Sequence, residues 1–348
     1  MGTSLDHLLP AVDEVLRCAE HARRIDVDPG GTALRADRIV LVAASLPWPK
    51  PALDHPAVRP VAEALGGTGV PTRVLAFVPE GPGSAAAGDG ATVVVYEREG
   101  PSAVERRYRT ATPAESADLA RALAADGAAP LPAPMAEHRP ARPAVLVCTQ
   151  GSHDVCCGSE GTRLAGELQA RNDATAAASG GSDHAAQLYR VSHTGGHRFA
   201  PTAMTLPDGR MWAGLTVARV ESILTRSGDL ADLAATCRGW WGADGGPAQV
   251  AERAVLAARG WSLDDHERRV ELAENPGTGA AGSILATVTV SPAASPAPAG
   301  PPGGAEGERW EVELSEGRSV PTIACRQPGG LPAKPAREYD VVAVRRLG

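Results

Sequence analysis

The chain has 348 residues, 43% of them hydrophobic and only 3% aromatic, and a formal net charge of −7. This length exceeds what one hydrophobic core organises, so about two or three domains are expected, with Ala, Val and Leu building most of their interiors. The acidic balance argues against nucleic acid as the main partner, because phosphate affinity needs a basic surface. Positive charge is almost all arginine, Lys50 and Lys334 being the two lysines, and the Ala-, Gly- and Pro-rich composition is that of a GC-rich bacterial coding sequence. The N-terminus lacks the basic n-region and long apolar run of a secretory signal. No apolar run reaches the roughly 18 residues of a membrane span. A reducing cytoplasm is the expected compartment, where clustered cysteines serve as ligands or redox groups rather than structural disulfides.

Residues 4–24 read as a helix with Ser4 as N-cap and Leu8, Val12, Val15 and Leu16 on its apolar positions. A buried strand follows at 38–45, then a helix at 57–65, strands at 72–78, 91–96 and 104–109, and an Ala-rich amphipathic helix at 113–126. Strands alternating with helices imply an N-terminal α/β domain, residues 1–127. Five prolines mark 128–143 as a linker. Next come a strand at 144–148, a Cys- and Gly-rich loop to Ser159, a helix at 160–171, a small-residue loop at 172–183, a strand at 187–192 and a Gly-rich loop at 193–201. Segments 203–206 and 210–215 pair across Pro207-Asp208-Gly209, and a helix at 216–225 closes the unit. This β-α-β-β-α order, residues 144–226, is a thioredoxin-like pattern. Residues 227–348 read as a small α+β region: helices at 230–240 and 248–259, strands at 268–272, 283–290, 309–314 and 339–344, and a flexible Ser/Pro/Ala/Gly segment at 291–307. The sequence shows no internal repeat.

Two stretches carry the chemistry: Cys148-Thr-Gln-Gly-Ser-His153-Asp154-Val-Cys156-Cys157-Gly158 and Ser192-His193-Thr-Gly-Gly-His197-Arg198-Phe199. Both follow predicted strands of one unit, so their loops meet at one sheet edge, where α/β proteins gather ligand sites. Gly195 and Gly196 make the loop between His193 and His197 tight enough to bring both imidazoles onto one metal. A histidine pair around Gly-Gly beside clustered cysteines favours ligation over loop capping. The cysteines do not form Cys-x-x-Cys, so a thioredoxin-type couple has no support. A Cys₂His₂ set fits a structural Zn²⁺ and equally a [2Fe–2S] cluster with imidazoles on one iron; spacing does not separate them. A thiol-based sensor using Cys156 and Cys157 is a third reading. Cys18 and Cys237 read as small buried hydrophobes, Cys325 as exposed, and Trp240-Trp241 as core. The Gly-rich stretch 81–88 lacks the Gly-Lys-Ser/Thr of a phosphate loop.

The same two stretches resemble the sucrase/ferredoxin-like family, the run 192–201 most specifically. Cys18, Gly30–Ala33 and the strand 38–45 extend the resemblance upstream. The resemblance implies a thioredoxin-like ferredoxin domain whose [2Fe–2S] cluster is held by Cys148, Cys157, His193 and His197, with Cys156 as the alternative to Cys157. Asp154, Gly158 and Arg198 become candidates for supporting the ligands. Relatives often carry His where this chain has Gln150 and Arg where it has His153, departures that touch supporting roles and leave the four ligands intact. The implied function is electron transfer with a redox protein as donor or acceptor, not catalysis on a substrate of its own.

Overall fold

The computed structural model describes residues 5–67, 69–79, 91–125, 139–140, 142–179, 186–274, 283–293 and 307–347. Ser4, the glycine-rich stretch 81–88, most of the expected linker 128–143 and most of the segment 291–307 lie outside them.

The expected helix over 4–24 is shorter: one 3₁₀ turn at Asp6–Leu8 precedes helix α1 (Cys18–Arg24). Pro10 has no N–H with which to continue a helix. The backbone of 14–16 pairs instead with the C-terminal loop: Arg326 N–H donates to the Leu16 carbonyl (2.8 Å) and Gly329 N–H to the Glu14 carbonyl (2.9 Å).

The first half then runs β1 (Arg38–Ala43), α2 (Arg59–Leu65), β2 (Thr72–Phe77), β3 (Ala91–Glu99), β4 (Ser102–Thr110) and α3 (Pro113–Ala124). Helix α3 starts where Thr112 Oγ1 accepts from Glu115 N–H (3.2 Å), with Pro113 at its first position. After the edge strand β5 (Arg139–Pro140), the second half runs β6 (Ala144–Cys148), α4 (Thr162–Ser179), β7 (Gln187–Val191), β8 (Ala203–Leu206), β9 (Arg210–Trp212) and α5 (Val217–Leu224). The loop expected from 172 is helical as far as Ser179, because Ala174, Ala176 and Ala177 are strong helix formers. The expected helix over 230–240 divides into α6 (Leu230–Thr236) and an edge strand, β10 (Cys237–Trp240). Pairing with β9 and full burial override local helix propensity there. The chain ends in α7 (Gly246–Arg259) and four strands, β11 (His266–Glu274), β12 (Ser283–Pro292), β13 (Glu308–Thr322) and β14 (Lys334–Arg346).

The α/β class expected from the sequence is the class found. Strands β1–β10 form a single ten-stranded sheet in the order β10-β9-β8-β6-β7-β2-β1-β3-β4-β5, and β11–β14 form a separate antiparallel meander. Each half of the large sheet has the same plan: a parallel pair, β1/β2 or β6/β7, with an antiparallel hairpin, β3-β4 or β8-β9, added beside the first strand. The repeated plan is one of topology, without an internal repeat in the sequence to mark it. The halves join where β2 and β7 run antiparallel and pair at their last residues, Phe77 opposite Val191. The carboxyl ends of all four parallel strands therefore meet at one junction, the place where open α/β sheets bind ligands.

Helices α2 and α3 pack Val61, Leu65, Leu119 and Leu123 on Val40, Val42, Val74 and Val93. Helices α4 and α5 do the same in the second half, with Leu164, Leu168, Val220 and Ile223 on Val145 and Val147. The opposite face is one core shared by both halves, including Leu41, Leu75, Leu146, Met204 and the buried Trp240 and Trp241. Among the described residues, no helix is long and apolar enough to cross a membrane.

Candidate functional site

Strand β6 delivers Cys148 to the sheet junction. The chain turns through Gly151–Asp154, and Asp154 then caps the next helix, its Oδ1 accepting from Cys156 N–H (2.8 Å). The first turn of that helix, Cys157–Gly161, is π-wound and leads into α4; such widened turns recur at functional sites. After β7, Gly195 and Gly196 adopt left-handed φ of +83° and +70°. They fold the loop so that the His193 and His197 rings lie 5.9 Å apart.

Cys148 and Cys157 are fully buried. A hydrogen bond from Cys157 holds the Cys148 thiol well below its usual range, against burial and with help from the His193 imidazole and the Thr194 N–H. The same contact, with burial, pushes the Cys157 thiol up. His193 Nδ1 is buried and has no hydrogen-bond partner among the described residues. His153 stacks on His193 at 3.6 Å. Burial and the charges of His193 and Lys50 bring His153 down to about 4. The His197 side chain is 27% exposed, and its Nδ1 lies 2.9 Å from Asp154 Oδ2. Burial raises the Asp154 carboxyl, but the hydrogen bond and charge of His197, the Cys156 N–H and the Cys18 thiol outweigh it and hold that carboxyl well below the ordinary range.

The adjacent cysteines engage different groups. Cys157 meets Cys148, whereas Cys156 Sγ lies 3.7 Å from Cys18 Sγ and 3.8 Å from Cys325 Sγ. Cys18 Sγ is also 3.4 Å from Asp154 Oδ2 and 3.3 Å from His197 Nδ1. This corrects the reading of Cys18 as an inert hydrophobe and of Cys325 as an exposed bystander: both belong to a second sulfur group, and Cys325 is partly buried. Cys237 is fully buried, as expected.

Asp154 stands where a supporting residue was expected. Gly158 permits close approach, since a Cβ there would stand 2.4 Å from the Gly151 Cα. Arg198 is directed elsewhere: it donates to Thr322 Oγ1 and lies 4.7 Å over the Phe199 ring. Three other side chains hold the histidine loop. Gln150 donates to the Pro49 carbonyl (2.8 Å) and accepts from His193 N–H (2.9 Å), tying the loop after β1 to the loop after β7. Arg73 donates to the His193 carbonyl (2.7 Å). Arg238, fully buried, donates to the Gly195 carbonyl (3.1 Å) and Thr32 Oγ1 (3.1 Å). No carboxylate among the described residues pairs with Arg238. Burial lowers it to about 10, while negative charge on Cys148 and Cys157 favours its cationic form. A buried cation of this kind calls for an anionic neighbour, which the two thiols supply when deprotonated. Gln150 lies in the first chemistry-bearing stretch, whereas Arg73 and Arg238 carry no local motif, so the sequence gives no signal for those two.

A cleft of about 460 Å³ opens beside the site, lined by His153, Asp154, His197 and Cys325. Both lysines of the chain, Lys50 and Lys334, line it too.

The fold and site define an α/β protein with a buried cysteine–histidine group at a sheet junction. A sequence model described as sucrase/ferredoxin-like matches residues 29–239, more than half of the chain, and the chain belongs to that family. The match spans both halves of the large sheet and leaves Cys18 and Cys325 outside. No curated protein matches the chain, and no solved structure does.

The contact between the π turn and β6 gives a direct test. A Cβ on Gly161 would stand 2.0 Å from the Cys148 carbonyl oxygen, backbone against backbone. Gly161→Ala must therefore displace Cys148 or the helix, at an expected cost on the order of 1–3 kcal/mol for overpacking. Thermal denaturation should show a lowered midpoint, and an unchanged midpoint contradicts the packing described.

Proposed function

We propose that the protein is a cytoplasmic electron carrier whose [2Fe–2S] cluster is held by Cys148, Cys157, His193 and His197, and which exchanges electrons with a separate redox protein. The observation that carries this reading is the convergence of Cys148, Cys157 and His193, with both thiols buried and His193 Nδ1 buried without a partner. An unpaired buried nitrogen beside two thiols suits a metal better than a packed core. Membership of the sucrase/ferredoxin-like family supports the reading. So does the order β7-β6-β8-β9 with β6 and β7 parallel, which is a thioredoxin-like arrangement.

When bound, the cluster supplies a one-electron couple whose imidazole ligands set its potential above that of an all-cysteine cluster. The chain's residues do the rest. Cys148 and Cys157 supply thiolate from a site closed to water. Asp154 keeps a proton on His197 Nδ1, leaving Nε2 as the nitrogen with a free lone pair, the carboxylate–histidine pattern of metal sites. His197 is partly exposed at the cleft, so it is the side from which a partner approaches most closely.

Protein purified anaerobically should be red-brown and contain about two irons and two sulfides per chain, with an EPR signal on one-electron reduction. A colourless protein lacking iron and sulfide, with zinc on Cys148 and Cys157, would overturn the reading in favour of a structural site.

A further inference from the structure

We propose that Cys18, Asp154, Cys156 and Cys325 form a second metal site, built for a tetrahedral Zn²⁺. The four ligands are distinct from the cluster's, and the two sites touch at His197, whose Nδ1 lies 2.9 Å from Asp154 Oδ2 and 3.3 Å from Cys18 Sγ. One ligand atom from each of the four residues lies within 4.8 Å of the others. Three of the six separations match the edges of a tetrahedron around zinc. With Zn–S bonds of about 2.3 Å, the sulfur–sulfur edge of such a tetrahedron is about 3.8 Å, and a sulfur–oxygen edge is about 3.5 Å. The chain places Cys156 Sγ 3.7 Å from Cys18 Sγ and 3.8 Å from Cys325 Sγ, and Cys18 Sγ 3.4 Å from Asp154 Oδ2. Three thiols grouped at these separations are a donor set selective for zinc over magnesium or calcium.

The supporting contacts are those of a prepared site. Asp154 Oδ1 is held by Cys156 N–H (2.8 Å), and Oδ2 faces His197 Nδ1 (2.9 Å). Backbone pairing between 14–16 and 326–329 brings Cys18 and Cys325 together before any metal is considered. Asp154 and Cys325 line the cleft, which gives an ion its way in. Three thiolates and a carboxylate around Zn²⁺ leave net negative charge, and the two lysines that line the same cleft offset it. The ligands come from the N-terminal segment, the helix start at the sheet junction and the C-terminal loop, so one ion would fasten three distant segments. Cys18 and Cys325 lie outside the residues matched by the family, and Asp154 and Cys156 lie inside them.

The test is elemental analysis of the full-length protein, purified without chelator or nickel resin. The expected content is about one zinc per chain. Cys325→Ser, whose thiol contacts Cys156 and none of the four cluster residues, should lower it at least tenfold while iron and visible absorption stay unchanged. As a check that needs no variant, chelation of wild-type protein should remove zinc and leave iron, and Co²⁺ added afterwards should give the ligand-field and sulfur-to-metal bands of a tetrahedral thiolate site. Wild-type protein without zinc that takes up Co²⁺ without those bands overturns the proposal, as does a disulfide among Cys18, Cys156 and Cys325 in a non-reduced digest. Zinc at this site in protein that lacks iron would sink the cluster reading alone.

Discussion

Replacing Cys157 with alanine should take the iron content of the purified protein from about two per chain to near zero, whereas replacing Cys156 should leave it unchanged. The two residues are neighbours in sequence, both fully buried, so a loss of general packing does not distinguish them. Their sulfur environments do. Cys157 hydrogen-bonds to Cys148, and Cys148 in turn lies beside His193. Cys156 faces Cys18 and Cys325. The helix that carries both cysteines is fixed at one end by the Asp154 cap and on one side by the contact of Gly161 with the Cys148 carbonyl. Rotating Cys156 into the place of Cys157 would break both. No other thiol can therefore take over, and absorption, iron and sulfide should fall together in Cys157→Ala. His193→Ala should behave like Cys157→Ala, because it removes the buried imidazole from the same group. An iron-replete Cys157→Ala protein, or a folded Cys156→Ala protein that has lost its iron, contradicts the assignment of the sulfurs.

The contrast between neighbouring cysteines also marks how far the sequence could be read. Strands β1 and β6 are short runs of apolar, β-branched residues, and their positions follow from local pattern alone. The loops after β6 and β7 are equally legible, because cysteine, histidine and glycine are concentrated there and strand ends dictate where they meet. What the sequence hides is whatever depends on contacts between distant segments. Cys18 and Cys325 look ordinary beside their neighbours; only the pairing of 14–16 with 326–329 turns them toward Cys156. Arg238 sits in a stretch with helical propensity, yet it lies in a strand because β9 offers that stretch a partner. The repeated plan of the large sheet is hidden for another reason. Strands β1 and β6 share Val-Leu-Val, but β1 ends in Ala43 where β6 ends in Cys148. One half therefore supplies the ligands, and the other supplies the backing: Arg73, Pro49 and Lys50 all reach the ligand loops.

The largest effect on stability should come from a residue outside the site, Glu252. Its carboxylate accepts two bonds from Arg210, at 2.8 and 2.9 Å, and a third from Arg268 at 3.1 Å. Asp264 accepts from Arg210 Nε at 2.9 Å and also from Arg268, and all four side chains are fully buried. The quartet is neutral: two guanidinium cations against two carboxylates. It joins β9 of the large sheet to α7 and to β11 of the meander, so three layers share one charge balance. Glu252→Gln keeps the volume and removes one negative charge, leaving an uncompensated cation where water cannot reach it. Breaking such a pair costs about 3–5 kcal/mol, a large part of the roughly 5–15 kcal/mol that holds a domain together. The exposed pair Arg226–Asp265 provides the control, with side chains 42% and 56% accessible. Its removal in Arg226→Gln should cost under about 1 kcal/mol, since water screens and solvates both ends. Denaturant unfolding of the two variants should therefore differ by several kcal/mol, with Glu252→Gln the weaker. Equal midpoints would mean that the buried quartet relaxes or admits water, and that the meander is not fastened to the large sheet through these charges.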